Sequence, residues 1–352
     1  MSRSSQRRVV GLTGCGRHDT ANRTVTTRVA SIGVSHWHSL YDSAYLRHLA
    51  GMPGLEIVGL QDASAEIAGK RAAALGHPPV FTDYRRMLAE TRPDFVVALG
   101  RPCDMAEAAH YLLDHGYPFL MEKPMGVTAD EVQRIADKAV AKRAFVAVPL
   151  GQRYLPFVTR ARQLLAEGAL GPVSHIYFRL NRPTSGRYPA WDAPWMLDPA
   201  AAGGGCLRNL GTHGLDLFLH LTGEEAEVTA AHLSTRALGT AVEDYAAVLV
   251  RSASGVLGTI EVGNLFPRDG TDGEWKIAGR DGLLIARDGT LRLQTARGEE
   301  TSPGEPPEPI ARTALRDALE HWRRGAPPPI SVHDCARVQR LIDQAYARAG
   351  HD

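Results

Sequence analysis

Two short stretches hold the residues best suited to chemistry. In "YPFLMEKPMGVTADEV" an apolar run ends on Glu122 and Lys123, directly before Pro124. As a strand of a parallel sheet, that run delivers both side chains at its C-terminal end, where ligands bind in open α/β sheets. In "GGGCLRNLGTHGLDLFLHLTG" the glycines Gly203 to Gly205 precede Asn209 and His213. Spaced four apart on a helix, these two side chains share one face. Only a pocket between two parts of the fold would bring Lys123 and His213 together. A lysine partly out of water there has a lowered pKa, and the pair can hold and move a proton at a substrate oxygen. Asn209 can orient a hydroxyl but cannot carry charge. Asp216, one turn beyond His213, reads as structural.

A third stretch, "ASIGVSHWHSLYDSAYLRHL", raises the question of a cofactor. A strand, "RVASIGV", leads into Gly33, a helix is expected over Leu40 to Ala50, and the next strand, "LEIVGLQD", ends on Asp62. That context makes a dinucleotide-binding loop credible. Gly33 supplies the tight turn. Ser35 stands at the second glycine position and is small enough for close approach to a pyrophosphate. His38 replaces the third glycine, so the helix starts further off or the imidazole points outward. The helix N-terminus is expected to offer its N–H groups to a phosphate. His36, Trp37 and His38 belong to this cofactor-side loop, the histidines as surface or phosphate-side donors. Two residues apart on a helix, the histidines point in different directions, and no metal site is expected. Asp62 either meets the ribose hydroxyls or caps the helix beginning at Ala63. In the first role its charge repels a 2′-phosphate and favours NAD over NADP. A rival glycine set, Gly11, Gly14 and Gly16, precedes a segment without helical spacing.

These residues need elements to position them. From Arg28 to about Val148, β-branched runs alternate with helical segments at Leu40 to Ala50, Ala63 to Leu75, Met105 to His115 and Ala129 to Ala141. Such alternation implies βαβ units and a parallel sheet. After Pro149 the pattern changes. A helix is expected over Pro156 to Glu167, a strand at "VSHIYFRLN", a helix over about Gly205 to Leu221 closed by Gly223, and successive strands from Ala226 to Leu293. "TARGEETSPGEPPEPI" reads as a solvated loop, followed by helices near Ala311 to Trp322 and Val332 to Ala349. The expected fold class is α/β: a Rossmann-type parallel-sheet domain, 28–148, then an α+β domain, 149–352, with a large, mostly antiparallel open sheet. Residues 1–27 read as an extension.

Composition sets the outer bounds. The chain has 352 residues, 44% hydrophobic and 22% charged, with net charge +1. This balance suits a globular protein and gives no global reason to expect nucleic acid or an anionic membrane as partner. No apolar run is long enough to span a bilayer. Four cysteines lie far apart without a C-x-x-C pair, which fits a reducing, cytoplasmic compartment.

The motifs taken together resemble the glucose–fructose oxidoreductase / inositol dehydrogenase (Gfo/Idh/MocA) family. The resemblance rests on "FTDYRRMLAETRPDFVV", "EKP", "LAEGALGPV" and "GGGCLRNLGTHGLDLFLHLTG" and covers nearly all of the chain after residue 28. It implies an NAD-dependent oxidoreductase passing a hydride between nicotinamide and a carbinol carbon of a sugar, polyol or derivative. By the same resemblance Lys123 reaches the substrate and, with Glu122 beside it, the cofactor, and His213 takes part in proton transfer. Asn209 stands where the family's dehydrogenases often have aspartate. Arg101 and Met105 stand where the family commonly has proline and histidine. Arg101 either touches a cofactor phosphate or a substrate acid, or is a solvated loop arginine. Arg153 and Tyr154 of "GQRY" are expected to face the substrate. Trp195, with Trp191, either joins them against a sugar ring or packs in the core. The family also implies a homodimer or homotetramer formed through the second sheet. Two rival readings stay open: an NAD-recycling glycosidase of the same fold, and a non-catalytic NAD- or sugar-binding regulator.

Overall fold

The computed structural model describes Met1 and residues 26–349. The rival glycines Gly11, Gly14 and Gly16 lie outside the described residues. Six short strands follow Thr26: β1 (Thr27–Ile32), β2 (Leu55–Gln61), β3 (Val80–Phe81), β4 (Phe95–Ala98), β5 (Phe119–Met121) and β6 (Val146–Ala147). They form one parallel sheet in the order β3-β2-β1-β4-β5-β6. The order reverses between β1 and β4, so a crevice opens beyond their C-terminal ends. Helices cover both faces, and their starts are written in the sequence. Ser64 caps Ala65–Ala73, Asp83 caps Tyr84–Thr91, and Thr128 with Glu131 forms a capping box for Ala129–Lys142.

The second sheet has eight strands: β7 (Val173–Asn181), β8 (Ala226–Ser234), β9 (Tyr245–Ser252), β10 (Leu257–Gly263), β11 (Asp272–Gly279), β12 (Gly282–Arg287), β13 (Thr290–Thr295) and β14 (Gly298–Pro303). Their order is β14-β13-β12-β11-β7-β10-β9-β8. Only the β7–β10 pair is parallel among the pairings described. The strand expected at "VSHIYFRLN" is β7, residue for residue.

Four departures from the sequence reading matter. The helix expected over Leu40 to Ala50 is reduced to Tyr45–Ala50, preceded by a 3-10 turn at Trp37–Ser39. Asp42 (φ 49°) and Ala44 (φ 46°) are left-handed, which breaks any continuous helix between them. The helix expected from Gly205 begins as a π-helical stretch, Leu207–Gly211, before the α-helix Thr212–Thr222. The buried Glu243 carboxylate accepts from the backbone N–H of both Gly205 and Leu207, fixing that start. The expected solvated loop contains β14, paired along its length with β13. The last helices do not belong to the second sheet alone. Ala311, Leu315, Ala318 and Leu319 of Ile310–Arg323 pack into the core under β1, β2 and β4, beside Val29, Leu60 and Val97. Val332–Ala349 begins in the first domain's core and ends in the second's.

Candidate active site

Glu122 directly follows β5 and Lys123 comes next, and both side chains are buried, Lys123 4% and Glu122 1% exposed. The Lys123 ammonium donates to the Asn209 carbonyl at 3.0 Å and to Asn209 Oδ1 at 2.6 Å. Asn209 Nδ2 in turn donates to the Tyr188 hydroxyl at 2.8 Å. His213 sits one turn on. Its Nδ1 is closed off from solvent and has no hydrogen-bond partner among the described residues. Lys123, Asn209 and His213 line one cavity of about 350 Å³ between the two domains. The pocket that the spacing required is therefore present.

Electrostatics differ sharply among these groups. Burial lowers the Lys123 pKa below the ordinary lysine value, against the opposing pull of the Glu122 carboxylate. Burial, helped by the Lys123 ammonium, pushes His213 down to about 3, so its ring is neutral at ordinary pH. Burial alone would raise the Glu122 carboxyl, but the His38 ring and the Lys123 ammonium hold it at about 2.

A second, larger cavity of about 740 Å³ runs over the ends of β1, β2 and β4. Gly33, Ser35, Asp62 and Arg101 line it. Gly33 has φ 68°, and a Cβ there would stand 2.4 Å from the Gly100 backbone, so only glycine fits this crossing. Asp62 accepts from the Ser35 N–H at 2.7 Å and the Ser64 N–H at 3.1 Å. It braces the glycine loop rather than capping a helix at Ala63; the helix cap is Ser64. This cleft, with the close Gly33–Gly100 backbone crossing at its edge and a carboxylate just past the end of β2, fits a dinucleotide. Arg101 lies on the rim, paired with Asp104 at 2.6 Å.

Several sequence-based assignments are corrected. His36 and His38 are neither surface groups nor divergent. They are buried, and their rings stand 4.9 Å apart, because His36 Nδ1 accepts from the His38 N–H across the 3-10 turn. His38, Trp37 and Glu122 line the smaller, inter-domain cavity, not the dinucleotide cleft. His38 bonds Glu122 at 2.7 Å and Asp42 at 3.2 Å. No α-helix N-terminus follows the loop directly. Arg153 and Tyr154 turn away from the cavity: Arg153 is clamped by Asp216 and Asp334, and the Tyr154 hydroxyl donates to Asp317 at 2.6 Å. Trp195 packs 5.8 Å from the His36 and Trp37 rings and borders the dinucleotide cleft. Among the described residues, no group of three or more His, Cys, Asp or Glu is arranged to hold a metal ion.

The sequence reading missed other lining residues. Asp42 and Arg182 form a two-hydrogen-bond ion pair at the cavity, at 2.7 and 3.1 Å. Gln152, in the "GQRY" stretch expected to line the substrate pocket, does line the cavity, with Oε1 buried and unpartnered among the described residues. Arg182 directly follows β7, a strand end that could have signalled it. Asp42 carried no signal, since its segment read as helix.

A parallel nucleotide-type sheet, a cleft over its strand ends and a buried lysine in the adjoining cavity define a two-domain α/β protein of the dinucleotide-binding type. Residues 27–149 match the oxidoreductase family with an NAD-binding Rossmann fold, and residues 158–285 match the GFO/IDH/MocA C-terminal domain. The chain belongs to the Gfo/Idh/MocA oxidoreductase family. It is 28% identical over 234 residues to a levoglucosan dehydrogenase of Pseudarthrobacter phenanthrenivorans, covering 57% of this chain and 57% of that protein. It is 29% identical over 248 residues to the rhizopine catabolism protein MocA of Rhizobium meliloti, covering 67% and 70%. In overall shape it is similar to an oxidoreductase from Agrobacterium radiobacter solved with NAD+, L-tartaric acid and magnesium. That likeness has a TM-score of 0.82 at 15% identity, over 92% of this chain and 96% of the other.

Proposed function

We propose that this chain is an NAD-dependent oxidoreductase that moves a hydride between nicotinamide and a carbinol carbon of a sugar, polyol or derivative. The observation that carries this reading is the placement of Lys123: a buried ammonium at a parallel strand end, facing Asn209 and His213 across an inter-domain cavity. Gly33, Ser35, Asp62 and Arg101 would hold the cofactor, which supplies the hydride acceptor or donor when bound. Lys123 hydrogen-bonds the reacting oxygen and stabilises its developing negative charge. His213, neutral and with Nδ1 free, accepts the hydroxyl proton. Asn209 holds the ammonium in place and, through Nδ2, is tied to Tyr188. Hydroxyl-rich substrates suit the lining, where Trp37 offers an apolar face and Gln152 and Thr184 offer hydrogen bonds. Levoglucosan dehydrogenase acts, by its name, on such a compound.

The test is a panel of sugars and polyols with NAD, following reduced-cofactor absorbance. Accumulation of NADH establishes net oxidation. Product formation without it would point to internal recycling instead.

Cofactor choice follows from Asp62, whose carboxylate borders the dinucleotide cleft. A 2′-phosphate there meets like charge. Fluorescence titration should show NAD bound more tightly than NADP, and Asp62→Ala should narrow that preference. Equal affinities in the unmutated protein would exclude this role.

The outer face of the second sheet exposes Leu249 and Leu257, 46% and 54% accessible, and is the surface we assign to self-association. Light scattering should give two or four times the chain mass, and a charged residue at either leucine should lower it. The unpaired thiols of Cys103, Cys206 and Cys335 suit a reducing compartment such as the cytoplasm.

A further inference from the structure

His38 stands where a dinucleotide loop carries its third glycine, yet it faces away from the dinucleotide cleft and into the inter-domain cavity. We propose that His38 is a proton relay, passing the proton released on substrate oxidation from Glu122, deep in the cavity, to Asp42 at its edge. The inference rests on the dehydrogenase reading above and concerns where the proton goes.

The geometry forms a continuous line. His38 Nδ1 lies 2.7 Å from Glu122 Oε1 and Nε2 lies 3.2 Å from Asp42 Oδ2. Side-chain exposure rises along it, from 1% at Glu122 to 8% at His38 and 23% at Asp42. An imidazole can take a proton at one nitrogen while releasing another from the second, which no other side chain does so readily near neutral pH. Arg182 fixes the outer end by gripping both Asp42 oxygens. Asp42 has backbone in the left-handed region, so the loop accepts an unfavourable conformation at the residue that completes the line.

The chemistry calls for such a route. In oxidation the carbinol carbon loses a hydride to the cofactor, the O–H bond breaks, a C=O bond forms and one proton is left in a buried cavity. His213 accepts it but, held near 3, cannot keep it. Asn209, beside Lys123, offers no carboxylate to take the proton on. Glu122, held at about 2, keeps the proton no better than His213 and serves only to pass it on: it is a buried carboxylate lining the same cavity and in contact with His38. The groups around His38 are Glu122 and Asp42 in contact, the His36 ring at 4.9 Å and the Tyr45 ring at 6.1 Å, with the charges of Lys123 and Arg182 beyond. Burial would lower the His38 pKa, but the two carboxylates outweigh it and the net shift is upward. The shift favours the protonated ring, so the relay runs by release: Nε2 gives its proton toward Asp42 at the cavity edge, and Nδ1 then takes one from Glu122.

The experiment compares the full-length protein with His38→Ala, His38→Gln and Asp42→Asn, using NAD and the best substrate from the panel. Thermal melting checks folding and fluorescence quenching checks NAD affinity. The relay predicts that folded His38→Ala binds NAD within a few-fold of wild type and loses at least about tenfold in kcat, with KM little changed. Added imidazole should restore much of that turnover, whereas His38→Gln, which keeps hydrogen bonds but carries no proton, should stay slow. Asp42→Asn, at the outer, partly exposed end, should also lower kcat. Unchanged kcat in folded His38→Ala, full turnover in His38→Gln, or a loss that imidazole leaves untouched each overturns the relay. Should both His38 variants fail to fold, unchanged kcat in Asp42→Asn overturns it and a lowered kcat supports it. A wild-type protein that oxidises nothing in the panel overturns the dehydrogenase reading first, and that silence is distinct from a defect confined to the variants.

Discussion

Lys123→Ala should retain NAD binding and lose turnover by on the order of 10²–10⁴, the usual cost of removing one positioned acid–base group. The ammonium is nearly sealed from water and its protein hydrogen bonds go to a single residue, Asn209. Removing it deprives the reacting oxygen of its charge partner at the moment negative charge develops. Because burial lowers the Lys123 pKa, the ammonium is lost at a lower pH than an ordinary lysine's. The alkaline fall of kcat/KM in the unmutated protein should therefore begin below the usual lysine range and vanish in Lys123→Ala. His213→Ala should lose a comparable factor under the proposed role of its neutral ring as acceptor of the hydroxyl proton. Asn209→Ala should do less and act mainly on KM. Steady-state kinetics with isothermal NAD titration checks all three. Wild-type turnover in a folded Lys123→Ala protein would refute the assignment.

Lys123 was legible because its signal is local: an apolar run, a strand end and a proline, all within a few residues. The same holds for Gly33 and Asp62, which close one βαβ unit. β7 and the helix Val332–Ala349 were also legible, since alternation and helical periodicity are properties of contiguous sequence. What escaped was set by partners far away. His38 meets Glu122 across 84 positions, and Asp42 meets Arg182 across 140. Nothing near Asp42 announces either contact, and a segment bent by two left-handed residues keeps the polar–apolar spacing of a helix. β14 escaped for a different reason: every residue in it is exposed, so its sequence has no buried face to alternate against. Arg153 and Tyr154 misled because a polar pair after a strand looks the same whether it waits for a ligand or is tied to aspartates elsewhere in the fold.

Arg153→Ala should destabilise the protein by about 3–5 kcal/mol, the cost of leaving one partner of a buried ion pair uncompensated. Arg153 sits in the turn Gly151–Tyr154, where the chain leaves the first domain. Its guanidinium reaches Asp216 at 2.6 Å on the helix Thr212–Thr222 and Asp334 at 3.0 Å at the start of Val332–Ala349. Asp216 is 1% exposed, so truncation strands its charge out of water. The pH dependence gives the sign. Burial already raises the Asp216 pKa above the ordinary 3.8, with Arg153 opposing it. Without Arg153 the folded-state pKa rises further, so the folded variant binds a proton that the unfolded chain has released. Stability of the variant then falls as pH climbs from the unfolded value through the raised folded one. The defect should be largest at neutral pH and shrink on acidification toward 4, as read by urea unfolding at several pH values. Arg153→Lys, which keeps the charge but not the forked contacts, should recover part of the loss. Because His213 lies on the same helix as Asp216, Arg153→Ala should also lower turnover below its unfolding transition. A variant as stable as wild type at neutral pH would mean that water reaches Asp216 and the clasp contributes little.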